Sequence, residues 1–296
     1  MMDDFDIIAR CMKREYIIIV GAEDIYSEND RHNKLMFAQS AVRYCKRYAY
    51  WFDRTTVFYF KGACTVRAES PDGGTYYKDG YTNNQITALK DSVQKYGAVF
   101  KEAKTWDDIA AHVNNTQDKI DNCEKRVQVI IFFTHGTPEE GIRLSASTGQ
   151  YLNQKSQLSI ISPHSFLPSS GLSSRRYSRR HVTSWACQTA NSGDDDLGIE
   201  KNMSKSLAQR MADTWNIPVY ASATRTSYSA VFAGGIQGKL DDWLGDRRFI
   251  DGVLWEDDGA DGAVESIDSA STSNVEEGMW ILNPKQTSDY KEGHFH

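Results

Sequence analysis

No stretch of this chain is apolar for long enough to cross a bilayer. The longest strongly apolar runs, Tyr16 to Val20 and Val129 to Phe133, fall far short of the ~20 residues a spanning helix needs. The opening residues, Met1-Met2-Asp3-Asp4-Phe5-Asp6, are acidic and lack the basic region and apolar core of a secretory signal. The five cysteines, at positions 11, 45, 64, 123 and 187, show no CxxC spacing, and their odd number argues against a closed disulfide framework. Together these absences point to a reducing, cytoplasmic setting, and they also fit a chain delivered elsewhere as an effector. Several catalytic signatures are missing as well: there is no HExxH, no GxSxG and no GxGxxG. Gly234-Gly235-Ile236-Gln237-Gly238-Lys239-Leu240 departs from a phosphate loop because its first glycine is misplaced and Leu240 stands where Ser or Thr is required. Carboxylates abound without a spacing that singles out a pair for glycosidic work. No metal and no cofactor is expected.

What is present is an ordinary globular composition, 296 residues of which 40% are hydrophobic and 25% charged, enough for one large domain. The formal net charge of −6 is unevenly spread. Between Asp241 and Glu277 twelve Asp or Glu face only Arg247 and Arg248, a local balance of −10 that leaves the rest of the chain at +4. So acidic a segment discourages nucleic-acid binding nearby, because phosphate contacts dominate such affinity; its default role is a solvated region.

Tyr16-Ile17-Ile18-Ile19-Val20-Gly21 reads as a buried strand, and Leu35, Ala38, Ala41, Val42, Cys45 and Ala49 recur at helical spacing through residues 31–50. A strand over 55–60, a helix over 84–96, a short strand over 98–102 and a helix over 106–113 follow. Later, Met203, Leu207, Met211 and Trp215 mark one face of a helix that leads through Asn216 and Pro218 into a strand over 219–223. Residues 162–180, 188–201 and 256–274 read as loops, and 249–255 and 279–282 as two late strands. This alternation predicts an α/β fold, a mostly parallel sheet with helices on both faces. One domain over 1–296 is expected, with a core over about 15–236 and an acidic elaboration over about 237–296. The cysteines other than Cys187 read as small hydrophobes: Cys45 on a helix face, Cys11 and Cys123 near helix ends, Cys64 just past a strand.

Two strand-like runs end in reactive residues. Val127-Gln128-Val129-Ile130-Ile131-Phe132-Phe133-Thr134-His135-Gly136 delivers a histidine, and His181-Val182-Thr183-Ser184-Trp185-Ala186-Cys187 delivers a thiol. In open parallel sheets the crevice lies at the carboxyl ends of the strands, where a His and a Cys from two strands can meet. The pair reads as a general base and a nucleophile, since an imidazole can take the proton of a thiol whose ordinary pKa is about 8.5. Gly136 has no Cβ, so a substrate carbonyl can approach its backbone, and its N–H joins that of Cys187 as an oxyanion hole.

An apolar strand ending in His-Gly, followed by one ending in Ala-Cys, resembles the caspase-like cysteine peptidases, the clan that includes metacaspases, legumains, gingipains, separases and the self-cleaving domains of bacterial toxins. The resemblance runs over the order of elements from about Glu15 to Thr224 and is carried by a dozen or so positions. It implies a three-layer αβα sandwich around a mostly parallel six-stranded sheet, and a catalytic dyad of His135 and Cys187 that cleaves peptide bonds through a thioester. The caspase pentapeptide is replaced by Trp185-Ala186-Cys187-Gln188-Thr189, and Trp185 stands where metacaspases place an acidic residue, so neither family's side-chain preference is implied. Two alternatives come from other classes: a catalytically silent binding or scaffold module on the same fold, and a thiol acyltransferase.

The resemblance also assigns the substrate pocket to the residues after the first strand and after the strand following the nucleophile, here Glu23 and Asp24, and Ser222, Thr224 and Arg225. Glu23 or Asp24 in that pocket favours a basic substrate residue, and Arg225 an acidic one. Arg175, Arg176, Arg179 and Arg180, within a stretch rich in Ser, Pro and Gly, suggest either a polyanion or activating-partner site or a cleavage site for zymogen maturation.

Overall fold

The structure, a computed structural model, describes residues 11–22, 25–27, 36–63, 66–69, 75–78, 80–115, 117–168, 180–194, 199–223 and 279–292. Its strands are β1 (Met12–Val20), β2 (Ile25–Ser27), β3 (Arg54–Tyr59), β4 (Val66–Glu69), β5 (Thr75–Lys78), β6 (Val99–Glu102), β7 (Lys119–Ile120), β8 (Cys123–Phe133), β9 (His135–Thr137), β10 (Gly141–Ser145), β11 (Gln150–Leu152), β12 (His181–Ser184), β13 (Val219–Ser222), β14 (Met279–Leu282) and β15 (Lys291–Glu292). The α-helices are α1 (Met36–Tyr48), α2 (Asn83–Lys95), α3 (Trp106–Asn114), α4 (Lys155–Leu158), α5 (Ile199–Lys205) and α6 (Leu207–Trp215).

The central sheet runs β15-β14-β13-β12-β8-β1-β3-β6, with β7 paired to the start of β8. From β13 across to β6 every neighbouring pair is parallel. Among the described residues the sheet has nine strands where six were expected: six lie in this parallel block, and β14, β15 and β7 add antiparallel neighbours. A parallel sheet is buried on both faces, which explains unbroken apolar strands in place of alternating ones. Ile17, Ile18, Ile19 and Val20 are all fully buried, yet Ile17 and Ile19 join one core and Ile18 and Val20 the other. In β8 the alternation slips once: Val127 and Ile130 share a core although three positions separate them. The cause is a bulge, since Glu15 pairs with Val127 and Tyr16 with Val129, leaving buried Gln128 as the extra residue.

Helices α1 and α2 cover one face through residues such as Phe37, Val42, Leu89 and Val93. Helices α3 and α6 cover the other through Trp106, Ile109, Met211 and Trp215, the last also donating from its indole to Leu158 O at 2.8 Å. The result is an α/β architecture compatible with a three-layer sandwich. The single late helix expected through Met203 to Trp215 is two: Ser206 ends α5 and caps α6, its hydroxyl accepting from Gln209 N. The apolar face continues across the break, which is why spacing alone reads it as one element. Residues 249–255, the other expected late strand, and all of the acidic segment from Asp241 to Glu277 lie outside the described residues, as does Cys64. Cys45 is buried as expected, whereas Cys11 is exposed and Cys123 opens a strand, so neither is a buried apolar residue near a helix end.

At the amino ends of β1, β3 and β8 the sheet buries charge. Glu15, fully inaccessible, accepts from Thr56 Oγ1 at 2.6 Å and from Arg54 Nε at 2.8 Å, and lies 3.0 Å from His112 Nε2. Lys125 and Asp118 complete the cluster. Burial alone would raise the Glu15 carboxyl, but hydrogen bonding and charge from His112, with Arg54 and Lys125, outweigh it and hold the carboxyl at about 2, against an ordinary 4.5. For Lys125 burial outweighs its carboxylate partners and pulls the ammonium down. A depressed carboxyl stabilises the fold fully above its unfolded value and loses that contribution as pH falls through its folded value. Urea denaturation across pH should therefore show stability falling from about pH 4.5 towards about 2. Glu15→Gln, which leaves the cations buried without their counter-charge, should cost about 3 kcal/mol at neutral pH and flatten that slope.

Candidate functional site

Strands β8 and β12 are neighbours in strict register, His181 opposite Val129 through Ser184 opposite Phe132, and Trp185 N extends the ladder to Phe132 O at 3.0 Å. His135 lies three residues past Phe132 and Cys187 three past Ser184, so the two reactive residues leave the sheet at one level. Both are half-buried. The chains then touch. A Cβ placed on Gly136 would lie 2.6 Å from Cys187 O and 2.9 Å from Ala186 Cβ, closer than side chains tolerate. Glycine at 136 is thus required by close approach of the His-Gly and Ala-Cys segments, the reason being packing and not backbone angle.

The imidazole of His135 is braced from the helical layer: the ring of buried Phe37, on α1, meets it edge-on at 4.9 Å and 85°. Below it, Gly21 at the end of β1 packs so tightly that an added Cβ would lie 2.8 Å from Thr134 Cβ. Strand order reverses between β1 and β8, since β3 and β6 run outward on one side and β12 and β13 on the other. Binding crevices of open α/β sheets form at such a switch point.

The segment after Cys187 is held from several directions. Thr189 Oγ1 donates to Ala186 O at 2.7 Å and lies 2.9 Å from Ser184 Oγ. Ala190 N donates to Ser222 O and Asn191 N to Gln188 O, each at 2.9 Å, and Ala208 N reaches Thr189 O at 3.0 Å. Gln188, next to the thiol, takes a left-handed φ of 55°. Such strain in a non-glycine residue costs on the order of 1–3 kcal/mol and persists where the surroundings over-determine it, as these tethers do.

Opposite His135 across β9 and β10 sits Arg143, with Ile142 opposite Gly136. Directly opposed residues of an antiparallel pair share a face, so a guanidinium stands on the same side as the imidazole. Its Nη2 donates to Glu140 Oε2 at 2.6 Å. Nothing in residue spacing announces Arg143, because β9 and β10 are too short for a strand period to be read. The left-handed Gln188 is equally silent in sequence, since glutamine carries no signal for that conformation.

Of the expected pocket residues, Glu23, Asp24, Thr224 and Arg225 lie outside the described residues, as do Arg175, Arg176 and Arg179. Ser222 is buried at the end of β13, and its carbonyl holds Ala190. Arg180 is engaged structurally: its Nη1 donates to Leu167 O at 3.1 Å and its Nη2 to Asn216 O at 3.0 Å. Among the described residues no three His, Cys, Asp or Glu converge as a metal cage would need, and no helix is long and apolar enough to cross a membrane.

No protein family, no curated protein and no solved structure matches this chain. The Gly136 contact supplies a direct check of the geometry. Gly136→Ala should lower the unfolding free energy by about 1–3 kcal/mol in chemical denaturation, because the backbone of Cys187 must move to admit a methyl group.

Proposed function

We propose that this chain is a cysteine endopeptidase of the caspase-like type, with Cys187 as nucleophile and His135 as general base and acid. The observation that carries the reading is the contact of the His-Gly and Ala-Cys segments at the carboxyl ends of two in-register parallel strands. His135 takes the proton of the Cys187 thiol, and Sγ attacks the carbonyl carbon of a peptide bond. The oxyanion that forms is held by the N–H groups of Gly136 and Cys187. His135 then returns the proton to the departing amine, leaving a thioester. Water, deprotonated by the same imidazole, attacks the thioester and releases the new carboxyl terminus and the free thiol. No step needs a metal or a cofactor. Protein or peptide is the substrate, and the cytoplasm the setting most in keeping with a free nucleophilic thiol.

The strained Gln188 and the tethers around Thr189 support a preorganised thiol, since an attacking atom gains most when its position is fixed before substrate arrives. A thiol acyltransferase would use the same atoms and differ only in accepting an amine in place of water. A scaffold role would leave the thiol inert.

Labelling with an iodoacetamide probe followed by peptide mapping separates these. In the native protein Cys187 should be modified ahead of the other cysteines, and His135→Ala should abolish that preference. Equal, slow labelling in both proteins would mean that no activated thiol exists. With peptides carrying Lys, Arg, Asp, Asn or Leu before the scissile bond, His135→Ala should lower kcat/KM by roughly a hundredfold or more, the usual contribution of a general base. Cys187→Ala should abolish turnover, and a product formed only with an added amine would identify the acyltransferase.

A further inference from the structure

The other end of the sheet carries a second pair of cysteines. Cys11 directly precedes β1 and Cys123 is the first residue of β8, 112 positions further on. Their meeting follows from strand register. Met12 pairs with Glu124, so one step earlier Cys11 falls opposite Cys123, and Glu124 N donates to Cys11 O at 2.8 Å. Cys123 is also fixed from the other side, by the hairpin to β7 in which Ile120 pairs with Cys123 and the two turn residues, Asp121 and Asn122, take φ of 50° and 64°. The two sulfurs lie 2.7 Å apart. Neighbouring strands run about 4.8 Å apart, inside the 4.4–6.8 Å range of Cα separations that a disulfide accepts.

The pair differs from the remaining described thiols. Cys45 is enclosed in the core, where burial pushes its thiol up, and Cys187 sits at the opposite, carboxyl-terminal edge of the sheet. Cys11 is exposed and Cys123 half-exposed, open to a small molecule. Contact with Cys11 raises the Cys123 thiol, while the Lys13 ammonium acts on it in the opposite direction.

We propose that Cys11 and Cys123 form a reversible dithiol–disulfide site whose oxidant is a low-molecular-weight disulfide of the glutathione type. One thiolate of the pair attacks a sulfur of the small disulfide, breaking its S–S bond and expelling one small thiolate. The second protein thiol loses its proton to solvent and attacks the protein sulfur of the mixed disulfide, expelling the other small thiol. Two electrons pass from the pair to the small disulfide, which leaves as two thiols, and one S–S bond now ties the start of β1 to the start of β8. The site is independent of the peptidase reading, because it lies at the opposite end of both strands from His135 and uses neither reactive residue. A cross-link spanning 112 positions restricts the unfolded chain far more than the folded one.

The test uses the full chain with Cys187→Ser, which removes the proposed nucleophile, equilibrated in graded ratios of reduced and oxidised glutathione, then alkylated and mapped. The expected result is a Cys11–Cys123 linked peptide lacking two hydrogens, reversed by reductant, with a melting temperature higher by roughly 5–15 °C in the oxidised protein. Cys11→Ser should convert the cross-link into a glutathione adduct on Cys123 and abolish the rise in melting temperature. Stable glutathione adducts on both cysteines, links that run to Cys64 instead, or a melting rise that persists in Cys11→Ser would each overturn the proposal.

Discussion

Everything at the candidate site depends on the register between β8 and β12. Parallel neighbours bonded from His181 opposite Val129 to Ser184 opposite Phe132 must end at the same height. Each then continues three residues into a reactive side chain. A slip of one position would send His135 or Cys187 to the other face of the sheet, since side chains alternate with a period of two. Slippage is resisted by burial, because the residues from Val127 to Phe133 are all buried, their apolar side chains divided between the two faces, and a shifted strand would set large side chains into holes shaped for others.

The same sheet is polar at its amino end and reactive at its carboxyl end. Glu15, Arg54, His112, Lys125 and Asp118 satisfy one another where β1, β3 and β8 begin, with the Phe58 ring edge-on to the His112 imidazole at 5.1 Å. Removing one member of such a cluster leaves the others buried without their counter-charge, so the cluster joins the three strand starts only as a complete set. The Cys11–Cys123 contact sits at this same end, where β1 and β8 are held by the continued parallel ladder. Alignment at the start of β8 carries through, across the bulge at Gln128, to Phe133 at its end, two residues before His135.

Much of the site's frame was legible because its signals are local. Runs such as Ile17-Ile18-Ile19-Val20 and Ile130-Ile131-Phe132-Phe133 announce strands buried on two sides, and a histidine followed by glycine announces where the second one stops. The helical spacing of Ala38, Val42 and Cys45 equally announced α1. What escaped was short, polar or discontinuous. Strands β9 to β11 hold three to five residues each, too few for a period to be read, although Ile142 and Leu144 flank Arg143 in β10. The break at Ser206 is hidden by an apolar face that continues across it, and Glu15 and Lys125 look like surface charges until their partners from other elements arrive.

By itself, then, the amino-acid sequence determined the longer strands and helices of the central sheet, their order, and the two strand ends that carry an imidazole and a thiol, because these follow from periodicity and from neighbours within a few positions. Only the tertiary structure decided which strands lie side by side, and with that the approach of Gly136 to Cys187, the placing of Arg143 opposite His135, the bracing by Phe37 and the meeting of Cys11 with Cys123. The physical reason is that hydrogen-bond ladders between strands distant in the chain are chosen by the joint packing of both faces of the sheet, a condition that no single segment contains.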